Sequence, residues 1–105
     1  MVKPSDFRAT VRRGRRTSTG SMLIYRVDRD PSDPARFGFI VAKTVGNAVE
    51  RNLVRRRMRA VCRSIVDQGG RGSDVVVRAL PGSAQKDWAS LSAEMHAILD
   101  PALIR

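Results

Sequence analysis

The chemistry this sequence offers most plainly is arginine at helical spacing. Asn52, Arg56, Arg59 and Arg63 recur at offsets 0, 4, 7 and 11, with Arg55 at the edge of the set. At about 100° of rotation per residue they share one stripe of a helix, and at the helical rise the row is about 16 Å long. A guanidinium is a planar, permanently charged fork that pairs bidentately with phosphate and stacks on flat rings. No acid follows Glu50 until Asp67, so no carboxylate lies among the arginines to neutralise Arg55, Arg56 or Arg59 through i,i+4 pairing. Val54, Met58, Val61, Cys62 and Ile65 form a second, apolar stripe, centred on the order of 150° away. Such a helix buries one side and holds the other out to a polyanion.

Residues suited to protein-borne catalysis are sparse. His96 is the single histidine, on the last predicted helix and away from the arginines, and reads as a packing or surface residue. The single cysteine, Cys62, excludes an internal disulfide and a multi-Cys zinc site; on the apolar stripe it reads as an inert core residue. Asp28, Asp30 and Asp33 lie close together in DRDPSDPAR, which reads as a solvated connector, with a divalent-cation cluster as the weaker alternative. No catalytic residue and no protein-borne metal site is expected.

Composition points the same way. The 105 residues hold 20 Lys+Arg against 10 Asp+Glu, a net charge of +10, with a hydrophobic fraction of 42%. That is one globular domain carrying a charge excess that opposes compaction and calls for a polyanionic partner. The excess is clustered. Residues 1–26 hold Lys3, Arg8, Arg12, Arg13, Arg15, Arg16 and Arg26 against Asp6 alone, and residues 43–63 hold Lys43, Arg51, Arg55, Arg56, Arg57, Arg59 and Arg63 against Glu50 alone. Two such blocks imply a binding face built from two segments. No apolar run approaches the roughly 20 residues of a bilayer span, and no signal-like apolar segment opens the chain, so a membrane-free, cytoplasmic protein is expected.

The elements that must position these residues follow from pattern. Ser5 caps a helix over 6–13 that stops at Gly14, and RRTSTGS (15–21) reads as a polar loop. MLIYRV (22–27) and RFGFIVAK (36–43) read as strands, the second with Phe37, Phe39, Val41 and Lys43 on one face. Asn47, with Glu50 three residues on, opens the arginine helix as a capping box; the helix runs to about Asp67 and stops at Gly69-Gly70. DVVVRAL (74–80) is a third strand. A last helix over 84–99 places Trp88, Leu91, Met95 and Ile98 at helical spacing before Pro101. The expectation is an α+β fold, α-β-β-α-β-α, a two-layer sandwich on a small sheet, with Phe37, Phe39 and Trp88 in the core.

The residues KTVGNAVERNLVRRRMRAVCR (43–63) resemble the signature of the bacterial ribonuclease P protein component, an arginine-rich helix following a G-N-A-V turn. SDFRATVRRGRR (5–16), MLIY (22–25), RFGFIVAKTVGNAVERN (36–52) and DVVVRALPG (74–82) also resemble that family's first helix, first strand, approach to the signature and last strand. The resemblance implies a β-α-β crossover through the arginine helix in the unusual left-handed form, where the general rule is right-handed. It implies an accessory subunit of an endoribonuclease ribonucleoprotein that removes the 5′ leader of precursor tRNA. The partner RNA is then the catalyst and Mg²⁺, bound mainly by that RNA, activates the attacking water. No small-molecule substrate is implied.

Carried over by position, Arg51, Asn52, Arg55, Arg56 and Arg59 match the signature that faces RNA, and Lys43 enters the same surface. Arg63, Arg12, Arg13, Arg15 and Arg16 join them as RNA-binding candidates by charge. Phe7 and Tyr25 match aromatic positions of a cleft for the single-stranded leader; the alternatives are that Phe7 anchors the core and Tyr25 lies in the sheet interior. Three departures stand out. Leu53 replaces an arginine of the signature, leaving that contact absent or made by Arg57; Val11 replaces a second cleft aromatic; and only Met1–Pro4 precede Ser5, where the family has a basic segment. The whole chain, 1–105, is expected to be a single RNA-binding domain. Two rivals remain: a small ribosomal protein with a structural role, and a DNA-binding regulator, for which the helix lacks a helix-turn-helix partner and offers only Asn52 as a base-reading type.

Overall fold

The computed structural model describes residues 4–28, 32, 35–67 and 72–99. The expected stop at Gly69-Gly70, Asp30 and Asp33 of the connector, Pro101, and the side chains of Phe7 and Trp88 lie outside the described residues.

The elements run α1 (Pro4–Arg13), β1 (Arg15–Ser18), β2 (Met22–Asp28), β3 (Arg36–Ile40), a 3₁₀ turn (Lys43–Val45), α2 (Ala48–Asp67), β4 (Ser73–Ala79), a second 3₁₀ turn (Ser83–Gln85) and α3 (Trp88–Leu99). The four strands form one sheet in the order β1-β2-β4-β3. β1–β2 and β2–β4 pair antiparallel, and β3–β4 pair parallel, so α2 is the crossover between two adjacent parallel strands. The α+β class and the crossover helix stand as expected, with one strand more than the sequence indicated.

That strand is β1. Its four residues, RRTS, are all exposed, so no burial alternation betrays it, and its cause is pairing across a tight turn. Thr19 N–H donates to the Met22 carbonyl at 2.8 Å, and Thr19 Oγ1 accepts from Met22 N–H at 3.0 Å and Ser21 N–H at 3.2 Å. Three boundaries also move. α1 begins at Pro4, whose fixed φ and missing N–H suit a first helical position, so Ser5 lies inside the helix. β3 ends at Ile40, before Val41 and Lys43, because the chain tightens into the 3₁₀ turn. The last predicted helix is split: Ser83–Gln85 is 3₁₀, and α3 starts anew at Trp88 with Asp87 as its cap. The Asp87 carboxylate accepts from Ser90 N–H at 2.7 Å, and that bond holds its pKa below the usual carboxylate value.

The main core lies on one face of the sheet. Val54, Met58, Val61, Cys62 and Ile65 of α2, with Leu91 and Met95 of α3, close over Met22 and Ile24 of β2 and Val75, Val77 and Ala79 of β4. Burying side chains of this size stabilises by about 1.5–3 kcal/mol each. Like-charge neighbours along a helix cost only about 0.2–0.5 kcal/mol each, so packing decides that α2 is a helix. On the other face Tyr25 and its β4 partner Val76 are buried yet stand apart from that core, and α1 packs there over β2 and β4. Gly14 permits this approach: a Cβ on it would overlap the Thr10 carbonyl oxygen and sit 3.0 Å from Arg26 N.

Candidate nucleic-acid interface

The site begins at the turn into α2. Asn47 N–H donates to Glu50 Oε1 at 3.0 Å and Glu50 N–H donates to Asn47 Oδ1 at 2.9 Å, the reciprocal capping box. Gly46 leaves space for it, since a Cβ there would come within 2.7 Å of Glu50 Oε1. Glu50 Oε2 accepts from Gln85 Nε2 at 3.0 Å, so the acid at the start of the helix is engaged by its own cap and by the turn before α3.

From this anchored start, Asn52, Arg56, Arg59 and Arg63 are exposed and Arg55 is half-buried. Together with Ala60 they line an open depression of about 750 Å³. Arg55 is steadied by Nη1 donating to Asn52 Oδ1 at 3.3 Å and Nη2 reaching the Val41 carbonyl at 3.5 Å. The ion pairs among the described residues are Arg15–Asp28, Arg26–Asp28, Arg36–Asp74 and Lys86–Glu94, and none engages the row. Among the described residues no carboxylate pairs with the row, and its members are exposed or half-buried, not laid flat on the sheet.

The remaining signature positions divide. Arg51 is half-buried and its Nε is buried without a hydrogen-bond partner. Lys43 is exposed on the 3₁₀ turn. Leu53 is half-buried, and Arg57 Nη1 donates to the Lys86 carbonyl at 2.6 Å. Arg57 faces the α3 side and fastens α2 to the connection that follows β4.

The N-terminal block does not extend the α2 row into a single face. α1, with Arg12 and Arg13 exposed near its end, packs on the opposite side of the sheet from α2. Arg15 and Arg16 are on β1, whose successive side chains point to opposite faces. Arg15 lies on the helix side, lining a cavity of about 170 Å³ with Thr17, Ile24, Arg26 and Ile98, and it pairs with Asp28 at 3.3 Å. Arg16 is opposite Tyr25, on the α1 side. Tyr25 is 8% exposed, so its ring lies in the sheet interior, the second of the two places open to it, and is not an open stacking platform. Arg78, which pattern alone did not single out, is exposed on β4.

Among the described residues no group of three or more His, Cys, Asp or Glu is placed to hold a metal ion. Cys62 is 4% exposed, in the core, and burial pushes its thiol far above the usual range. His96 is half-buried on α3. No helix among the described residues is long and apolar enough to cross a membrane.

Fold and site together define a class: a small basic α+β domain that holds a row of bare guanidinium groups on its crossover helix, suited to a phosphate-rich partner. The comparisons with known proteins are specific. The family model for Ribonuclease P matches residues 1–103. The ribonuclease P protein component of Clavibacter michiganensis subsp. michiganensis is 43% identical over 99 residues, covering 94% of this chain and 88% of the relative. That of an Arthrobacter species is 44% identical over 101 residues, covering 96% and 74%. The RNase P protein of Staphylococcus aureus superposes with a TM-score of 0.83 at 23% identity, over 99% of this chain and 94% of that one. The Thermotoga maritima protein, in complex with 1-(4-fluorophenyl)-2-thiourea, gives 0.83 at 19% identity, over 95% and 96%. At those identities the two structures speak to fold alone. The chain belongs to the ribonuclease P protein family, which sets the ribosomal and DNA-regulator readings aside.

Proposed function

We propose that this chain is the protein subunit of a cytoplasmic ribonuclease P whose catalyst is its RNA, and that it assists endonucleolytic removal of the 5′ leader from precursor tRNA. The observation that carries the reading is the outer face of α2: Asn52, Arg55, Arg56, Arg59 and Arg63 line one open depression, and no ion pair among the described residues engages them. Packing holds α2 straight against its own like-charge repulsion, so the row is organised before any partner arrives. Phosphates of the partner RNA supply the missing counter-charge and release condensed cations as they bind.

In this reading Lys43 and Arg51 extend the RNA surface at the α2 start. Arg12, Arg13 and Arg16 form a second surface on the α1 side, toward the tRNA and its leader. Arg15 adds a phosphate contact at the sheet edge, where Asp28 orients it. Phe7 contributes an aromatic contact from α1, while Tyr25 supports the α1-side floor from within. Mg²⁺, held mainly by RNA phosphates, supplies activation of the attacking water. The protein's part is to lower the repulsion between two RNAs and fix their relative position, contributing no proton-transfer group and taking no small-molecule substrate.

The test is cleavage of a precursor tRNA by the cognate RNA at a Mg²⁺ concentration too low for the RNA alone. Restoration of cleavage by added protein is the expected result. No restoration, or cleavage by the protein without RNA, would overturn the reading.

A further inference from the structure

Phe37 and Phe39, expected in the core, lie on β3, the outermost strand of the sheet. In the parallel register they stand opposite Val75 and Val77 of β4, and both rings pack against the helix-side core to which those valines belong. The core does not enclose them. The strand residues that α2 and α3 cover belong to β2 and β4, and both phenylalanines are left half-buried at the rim.

Across from the rings, the C-terminal half of α2 presents Arg59, Cys62, Arg63 and Val66. The four fall within about 100° of helical rotation, from buried Cys62 on the inner side to exposed Arg63 on the outer. With Phe37 and Phe39 they line an open hollow of about 330 Å³, at the small end of the roughly 300–1,000 Å³ usual for ligand-sized sites. Arginine stems folded down over the rings would fill such a hollow, yet here they form its wall. Arg59 and Arg63 also line the depression of the arginine row. Two guanidinium groups therefore separate two unlike hollows, one edged by charge and the other by aromatic and aliphatic carbon.

We infer that the hollow between β3 and the C-terminal half of α2 receives one unstacked base of the partner RNA, while the phosphate of the same nucleotide rests on Arg59 or Arg63. A nucleotide carries a flat ring and an anion one sugar apart, which is the pairing these adjoining hollows offer. An aromatic ring and a guanidinium plane are the surfaces on which splayed-out bases stack. A plain duplex satisfies only the charged half, because its base faces are covered by their neighbours. The inference deepens the proposed function and rests on it, since the RNA is the catalytic RNA that the α2 row meets. The row then supplies affinity for any phosphate backbone, and the hollow selects a bulge or junction that can give up a base.

The experiment measures binding of the full chain to its cognate RNA and to a fully paired RNA duplex, each over a range of salt. Phe39→Ile removes the ring and keeps a good strand former. Val66→Gln makes the opposite wall polar and is a better helix former than valine; the two variants approach the hollow from different elements, so a folding failure in one leaves the other to decide. The expected result is roughly five- to tenfold weaker binding of the cognate RNA, with the salt slope of the parent, because no phosphate contact is lost, and unchanged binding of the duplex. Parent-like affinity for the cognate RNA in a folded variant, equal losses on both RNAs, or a reduced salt slope would overturn the inference. A parent protein that fails to support cleavage would instead refute the underlying functional reading.

Discussion

Arg56 and Arg57 are neighbours in sequence and opposites in use. One helical step turns Arg56 into the exposed row and Arg57 toward the α3 side, where its Nη1 meets the Lys86 carbonyl at 2.6 Å. Arg57→Ala should therefore lower unfolding stability by about 1 kcal/mol, the usual net value of such a bond, while leaving the salt dependence of RNA binding as in the parent; a denaturant melt and a binding titration check both halves. The outward row was legible in the sequence because helical rotation depends only on local spacing. The use of Arg57 was not, because it depends on where the chain passes after β4, 29 residues further on. Arg78 escaped for a related reason: its exposure follows from which sheet row α1 leaves open, a long-range fact.

At the scale of elements, α2 is the best-determined piece. Its start is written in Asn47 and Glu50, whose reciprocal bonds the structure contains, and its apolar stripe is buried residue for residue. Asn47→Ala should cost about 1 kcal/mol of stability, read as a lower thermal midpoint, with RNA affinity recovered once the protein is kept well below that midpoint. β1 marks the opposite limit. A strand exposed along its whole length carries no hydrophobic alternation, so RRTSTGS reads as loop until its pairing with β2 is known. That pairing has a functional consequence, since it sends Arg15 to the helix side and Arg16 to the α1 side. A loop would have allowed both to join one surface.

Across the whole molecule, a net charge of +10 is distributed over two sides of a single sheet, with α2 on one and α1 on the other. The sequence revealed both basic blocks but not their separation, which is a property of the layering. In the proposed function this separation lets a small domain contact two RNA elements at once, one on each side, while its packed core resists the repulsion between the blocks. The claim on which this picture stands is that the α2 row meets RNA phosphate, and the salt dependence of binding to the cognate RNA tests it most directly. For a variant with both Arg56→Ala and Arg59→Ala, the log–log slope of affinity against salt should fall by roughly 1.4–1.8, about 0.7–0.9 for each phosphate that is no longer neutralised. A slope equal to that of the parent protein would contradict the claim.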